Sequence, residues 1–209
     1  MSEDSQPEIL IGTTNQAKIK EIRRALADLP LRLRFLDEYP TISPPVEDGQ
    51  SYEENAVLKA SAYARHTGIS ALADDSGLEV AYLHGAPGLR SARFGGPSDS
   101  DRVDLLLSKL TAAPDHERQG RFVSVVAIAD AEGAVFNIAQ GICAGTIAHA
   151  PLGSGGFGYD PVFVPEGYQL TFGQLPANVK DRISHRALAL AATRVFLSRA
   201  MSANLTPGE

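Results

Sequence analysis

Two adjacent carboxylates, Asp74 and Asp75, follow the apolar run 69–73 and precede Ser76 and Gly77. Neighbouring carboxylates are costly unless something positive neutralises them. Mg²⁺ with phosphate oxygens is a common answer, because Mg²⁺ takes one or two carboxylates and keeps several waters. The same four residues would also make a polar turn closed by an Asx hydrogen bond. Glu47 and Asp48, in a proline-rich stretch, are further candidate metal ligands or solvated loop acids. Lysines that could meet phosphate are Lys18, Lys59 and Lys180. Lys18 closes the run Thr13, Thr14, Asn15, Gln16, Ala17, which precedes an expected helix. Free N–H groups at a helix start, beside hydroxyls and an ammonium, suit a phosphate. An N-cap by Thr14 or Asn15 is the plain alternative.

A second kind of chemistry is written in the stretch 153–161, GSGGFGYDP, with four glycines among its first six residues. Such a loop costs much conformational entropy and exists for its backbone shape. Phe157 and Tyr159 offer flat walls for a base, and Asp160 could accept a ring N–H. A tight turn with its aromatics in the core is the plain alternative. Ser184, His185 and Arg186 stand at the start of the last expected helix. Ser184 is a natural N-cap, and His185 and Arg186 could donate to a carbonyl on a base or be exposed charges.

The elements that must position these residues follow from periodicity. Short strands are expected at 8–12, 31–35, 69–73, 122–129, 134–142 and 162–164. Helices are expected at 16–29, from a capping box at Ser51 and Glu54 to about 66, at 101–110 and at 185–201. The last should bury Leu188, Ala191, Ala192, Val195 and Phe196. Strands alternate with helices early and a hairpin comes late, so the fold class is α/β with a mixed sheet. The length fits one large domain or two closely joined lobes over 8–201, with loose ends at 1–7 and 202–209.

The chain has 209 residues and a formal net charge of -6, which argues against wrapping a nucleic acid polymer. The single cysteine, Cys143, cannot form an internal bridge, which fits a reducing compartment. The opening MSEDSQPE lacks the basic start and apolar stretch of a signal peptide. No run approaches a membrane span. The expected location is cytoplasmic, without a membrane partner.

Taken in order, TTNQAK (13–18), ENAVLKA (54–60), ADDSGLEV (73–80), GAPGLRSARFGG (85–96), GGFGYDPVF (155–163) and Lys180 with SHRALAL (184–190) resemble the inosine triphosphate pyrophosphatase family. The resemblance covers the chain from about 8 to 200. It implies a long twisted mixed sheet flanked by helices, two lobes with the active-site cleft between them, and a homodimer. It implies Mg²⁺-dependent hydrolysis of ITP, dITP and XTP, the non-canonical purine triphosphates, to the monophosphate and pyrophosphate. Thr13 to Lys18 would bind triphosphate and sugar. Asp75 would be the catalytic acid-base residue and a metal ligand, with Glu47 and Asp74 as the other metal-side carboxylates. Ser76, Lys59 and Lys180 would contact substrate, Phe157, Gly158, Tyr159 and Asp160 would hold the base, and Arg93 would line the site. His185 and Arg186 would face the 6-oxo group. Thr14 and Asp104 depart from the family pattern, which expects glycine and asparagine there. A pyrophosphatase for modified pyrimidine nucleotides and a non-hydrolysing nucleotide-binding protein are the alternative functions.

Overall fold

The computed structural model describes residues 6–203, with nothing stated of the side chain of Ala203. The expected loose ends at 1–5 and 204–209 lie outside the described residues, whereas Ser202 and Ala203 belong to the last helix. In chain order the elements are β1 (Glu8–Ile11), α1 (Gln16–Leu26), β2 (Arg32–Phe35), α2 (Tyr52–Thr67), β3 (Ala71–Val80), α3 (Asp99–Lys109), β4 (Gln119–Ala129), β5 (Val135–Ile147), β6 (Phe163–Pro165), α4 (Ala177–Ile183) and α5 (His185–Ala203). The strands hydrogen-bond in the order β2-β1-β3-β4-β5-β6. β1 runs parallel to β2 and β3, while β5 and β6 are antiparallel, so the sheet is mixed as expected. Register between β1 and β2 pairs Glu8 with Arg32 and Leu10 with Arg34, and the Glu8 carboxylate accepts from Arg34 at 3.2 Å.

The chain divides into two compact units. The first holds the described residues up to Asp75, Val125–Gln140 and those from Leu188. Its core joins Ile9 and Ile11 of β1, Ile19, Ile22 and Leu26 of α1, Leu72, Val126 and Ile128, and Ala189, Leu190 and Leu197 of α5. Each such aliphatic side chain larger than alanine contributes about 1.5–3 kcal/mol on burial. The second unit is Ser76–Ser124 with Gly141–Ala187. Its core is aromatic at the centre, with Phe122 against Phe163 at 4.6 Å and Phe163 against Phe172 at 5.6 Å between ring centroids.

Four differences from expectation have physical reasons. α1 stops at Leu26 rather than 29, since Pro30 disfavours helix at the residue before it; Leu29 still packs against the first core. β3 does not end at the acidic pair but continues to Val80, because Leu78 and Val80 are fully buried and extend the strand. Past His185 and Arg186 the buried residues of α5 are Ala189, Leu190, Thr193 and Leu197, while Ala191 and Ala192 are exposed and Leu188 is 41% and Val195 52% exposed. That helix is apolar on two sides, so periodicity alone cannot choose the inner one. Finally, α4 lies where no element is expected, being too short for a clear apolar period.

Candidate active site

The acidic pair sits mid-strand in β3, with Asp74 and Asp75 both buried. Burying two carboxylates is tolerable only if cations meet them. α1 supplies Lys18, whose Nζ lies 2.9 Å from Asp74 Oδ2. The start of that helix is capped by Asn15, whose Oδ1 accepts the Ala17 and Lys18 N–H groups, and Thr13 Oγ1 accepts the Asn15 N–H. The capping reading of this segment therefore holds, and Thr14, Asn15 and Gln16 are exposed around it. Gly12 has no room for a side chain, since a Cβ would stand 2.7 Å from the Tyr63 ring.

α2 begins at the N-cap Ser51, whose Oγ accepts the Glu54 N–H at 3.1 Å. Glu54 reaches back one residue beyond the expected capping box, to the Gln50 N–H at 2.7 Å. From this helix Lys59, only 7% exposed, places Nζ 3.4 Å from Asp75 Oδ1 and 3.2 Å from Glu47 Oε1. Of the two loop acids, then, Glu47 joins the cluster and Asp48 is exposed. Burial lowers the affinity of Lys59 for its proton, but Asp75, Asp74 and Glu47 together outweigh it and hold the pKa above the ordinary lysine value. Asp75 moves upward: burial dominates, with Glu47 adding to it, against Lys59, Asn55 and Lys18. An upward shift brings a carboxylate closer to neutral pH, where a general base is most effective.

Mg²⁺ suits this donor set. Among the described residues no group of three or more His, Cys, Asp and Glu side chains is placed to hold a metal by itself. Asp75 and Glu47 nevertheless converge on one cationic point, the Lys59 ammonium. Two carboxylates around one positive centre match an ion that completes its shell with waters and phosphate oxygens.

In the second unit the glycine loop is irregular as expected. Gly156 has φ 73°, and a Cβ there would collide with the Asp160 carboxylate. Asp160 Oδ2 accepts the Phe157 N–H at 2.7 Å and pairs with Lys180 of α4 at 2.5 Å. The Lys180 ammonium lies 4.4 Å from the centre of the Phe157 ring. The hydroxyl of Tyr159 donates to the Ser91 carbonyl at 2.9 Å, and the Gly158 N–H donates to Asp99 at 2.6 Å. Arg186, 1% exposed, donates to Ser76 Oγ at 2.9 Å and has its guanidinium carbon 5.6 Å from the centre of the Phe157 ring. The His185 ring stacks on Phe122 at 4.6 Å. Ser184 caps α5 as expected, accepting the Ala187 N–H.

A family model described as the Ham1 family matches residues 9–196. The chain belongs to the Ham1 family. Among similar curated Ham1-like sequences, a dITP/XTP pyrophosphatase of Anaeromyxobacter sp. is 42% identical over 92% of this chain and 97% of its own. Another dITP/XTP pyrophosphatase, of Nostoc sp., is 45% identical over 88% of this chain and 91% of its own. A solved HAM1 protein from Coxiella burnetii superposes with a TM-score of 0.85 at 37% identity, covering 92% of this chain and 99% of that one. A nucleoside-triphosphatase / dITP/XTP pyrophosphatase from Mycobacterium abscessus gives 0.71 at 37% identity, over 96% of this chain and 100% of that one. These findings bear out the resemblance read from the motifs.

Within this Ham1 chain the first unit gathers Lys18, Glu47, Lys59, Asp74 and Asp75, and the second gathers Ser76, Phe157, Asp160, Lys180 and Arg186. Arg93 ends a 3-10 turn, Gly88–Arg93, with its side chain exposed. Asn55, Ser91 and Asp99, which hold the candidate residues Asp75, Tyr159 and Gly158, are absent from the expected site. Asn55 alone carried a signal: it stands one helical turn before Lys59, on the same face of α2.

Proposed function

We propose that this Ham1-family chain hydrolyses ITP, dITP and XTP to the nucleoside monophosphate and pyrophosphate, removing them from the nucleotide pool. The single observation that carries the reading is the interleaved cluster of the first unit, in which Lys18 and Lys59 hold Asp74, Asp75 and Glu47. The dITP/XTP pyrophosphatase names of the relatives support the same activity.

Asp75 and Glu47 would hold Mg²⁺, with Asp74 beside them on Lys18. The ion supplies charge neutralisation for the phosphate oxygens. Lys18 and Lys59 bind the triphosphate, with Thr13, Thr14, Asn15, Gln16 and Ala17 along the phosphates and sugar. Lys18 and Lys59 turn from the carboxylates to phosphate oxygens when the substrate arrives. Asp75 orients and deprotonates the water that attacks the α-phosphorus, and pyrophosphate leaves. Its burial and raised pKa suit that base role. The protein otherwise acts by positioning and electrostatic stabilisation.

Phe157 and Gly158 form the base wall, Tyr159 lies beneath them in the core of the second unit, and Arg93 lines the site. Lys180 fixes the loop through Asp160. Donors from His185 and Arg186 meet the 6-oxo group, and Asp160 accepts the N1 proton. Adenine reverses both partners, and unpaired buried polar groups can discriminate by as much as about 10⁴-fold. Ser76 steers Arg186 through the bond to its guanidinium.

The working form is a homodimer. The outward stripe of α5, with Leu188 and Val195 exposed, is an apolar face of the kind a second copy covers. The expected location is the cytoplasm, where the nucleotide pool it acts on lies. Among the described residues no helix is long and apolar enough to cross a membrane. A steady-state panel of purine and pyrimidine triphosphates, scoring pyrophosphate against orthophosphate with and without Mg²⁺, tests the function. Fast pyrophosphate release from ITP and XTP with slow ATP turnover is expected. Preference for modified pyrimidines, or binding without hydrolysis, would replace it with an alternative function.

A further inference from the structure

Asn55 is a polar side chain buried to 3% exposure on α2, a position where an unmet amide would be costly. Both ends of that amide are met by groups of the metal side. Its Oδ1 accepts the Gly49 N–H at 2.9 Å, and its Nδ2 donates to Asp75 Oδ2 at 3.1 Å. The partners fix the orientation, since a backbone N–H needs an acceptor and a carboxylate needs a donor. Gly49 lies two residues beyond Glu47, and a Cβ on it would stand 2.7 Å from Asn55 Oδ1. The loop therefore touches the helix through bare backbone.

We infer that Asn55 is a positioning residue for this reaction, its amide bridging the Glu47 loop and the Asp75 carboxylate so that the two metal-side carboxylates face one point. Lys59, one turn along α2, holds Asp75 Oδ1 while Asn55 holds Oδ2, so one helix face fixes both oxygens of the carboxylate. Few side chains can replace it. Aspartate would oppose Asp75 with a second carboxylate, leucine would leave the Gly49 N–H unmet, and glutamine is a methylene too long for the gap. Groups that orient metal ligands in this way typically matter by about 10–100-fold in metal affinity or activity.

The inference rests on reading the cluster as a Mg²⁺–triphosphate site, and its test separates the two. Wild-type protein, Asn55→Ala and Asn55→Asp are titrated with Mn²⁺ alone, followed by the paramagnetic signal of the free ion. The kcat and KM for ITP and the melting temperature are measured alongside. Asn55→Ala is expected to weaken Mn²⁺ binding and lower kcat, each by about 10–100-fold, with KM changed less than about threefold. Asn55→Asp keeps the acceptor for Gly49 and turns the donor to Asp75 into an acceptor. It should fold but melt below the wild type, because two buried carboxylates then face each other, and it should lose at least about tenfold in kcat. Wild-type kcat in Asn55→Asp overturns the inference, even if the alanine variant fails to fold. So does wild-type Mn²⁺ affinity in a folded Asn55→Ala. A wild-type protein that neither binds Mn²⁺ nor releases pyrophosphate from ITP sinks the site reading itself.

Discussion

Replacing Asp75 by asparagine separates the chemistry of the site from its architecture. The side chain keeps its volume, so no cavity opens. It loses its charge and gains a donor where both neighbours are donors: Asn55 Nδ2 at 3.1 Å and Lys59 Nζ at 3.4 Å. Either rotamer of the new amide sets one N–H₂ against a donor, at a cost of about 1–3 kcal/mol. Offsetting this, the burial that pushes the Asp75 carboxyl upward no longer acts on a charged group. Lys59 retains Glu47. These effects oppose each other, so the melting temperature should move by only a few degrees. Turnover should not be spared. Loss of a general base costs about 10²–10⁴-fold, or about 2.7–5.5 kcal/mol of barrier at about 1.36 kcal/mol per decade. Pyrophosphate release from ITP at saturating Mg²⁺, beside a thermal melt, reads both quantities. A kcat within about tenfold of wild type would remove Asp75 from the base role.

Further outcomes follow from three single features. Burial, then Asp160 and Glu166, push the Cys143 thiol up to about 11, so at pH 8 about one thiol in a thousand is ionised. A disulfide reagent should label the native chain slowly and the denatured chain at once; rapid native labelling would contradict the burial. The unfolded thiol ionises nearer its ordinary value, so stability should fall as pH rises from about 8.5 to about 11, and less steeply in Cys143→Ala. Gly156→Ala places a Cβ against Asp160 at φ 73°, so the KM for ITP should rise about tenfold or more with the circular dichroism spectrum unchanged; an unchanged KM would free the loop from base binding. Val195→Glu puts a charge on the exposed stripe of α5, and sedimentation should show a wild-type dimer and a variant monomer; a dimeric variant would move the interface elsewhere.

Much of this molecule is legible in its residues. The strands around Ile9, Leu33 and Val125 are β-branched or alternating, and the caps at Asn15, Ser51 and Ser184 announce their helices. Local signals fail where a distant partner decides. Asp74 and Asp75 look like a turn in isolation, because only Lys18 and Lys59 make buried carboxylates tolerable within a strand. The outer and inner stripes of α5 have similar apolarity, so the packing of Ala189 and Leu190 against α1 and β1 decides which is buried. Lys180 reads as a lone cation until α4 sets it on Asp160. Asn55 reads as an ordinary helix residue because both its partners, Gly49 and Asp75, arrive from outside its helix.

The most direct measurement follows one reaction by phosphorus NMR, with equal ITP and ATP, Mg²⁺ and ¹⁸O-enriched water. IMP should carry the isotope on its phosphorus, with unlabelled pyrophosphate and residual ATP. Orthophosphate as the first product, or ATP disappearing as fast as ITP, would contradict the proposed reaction.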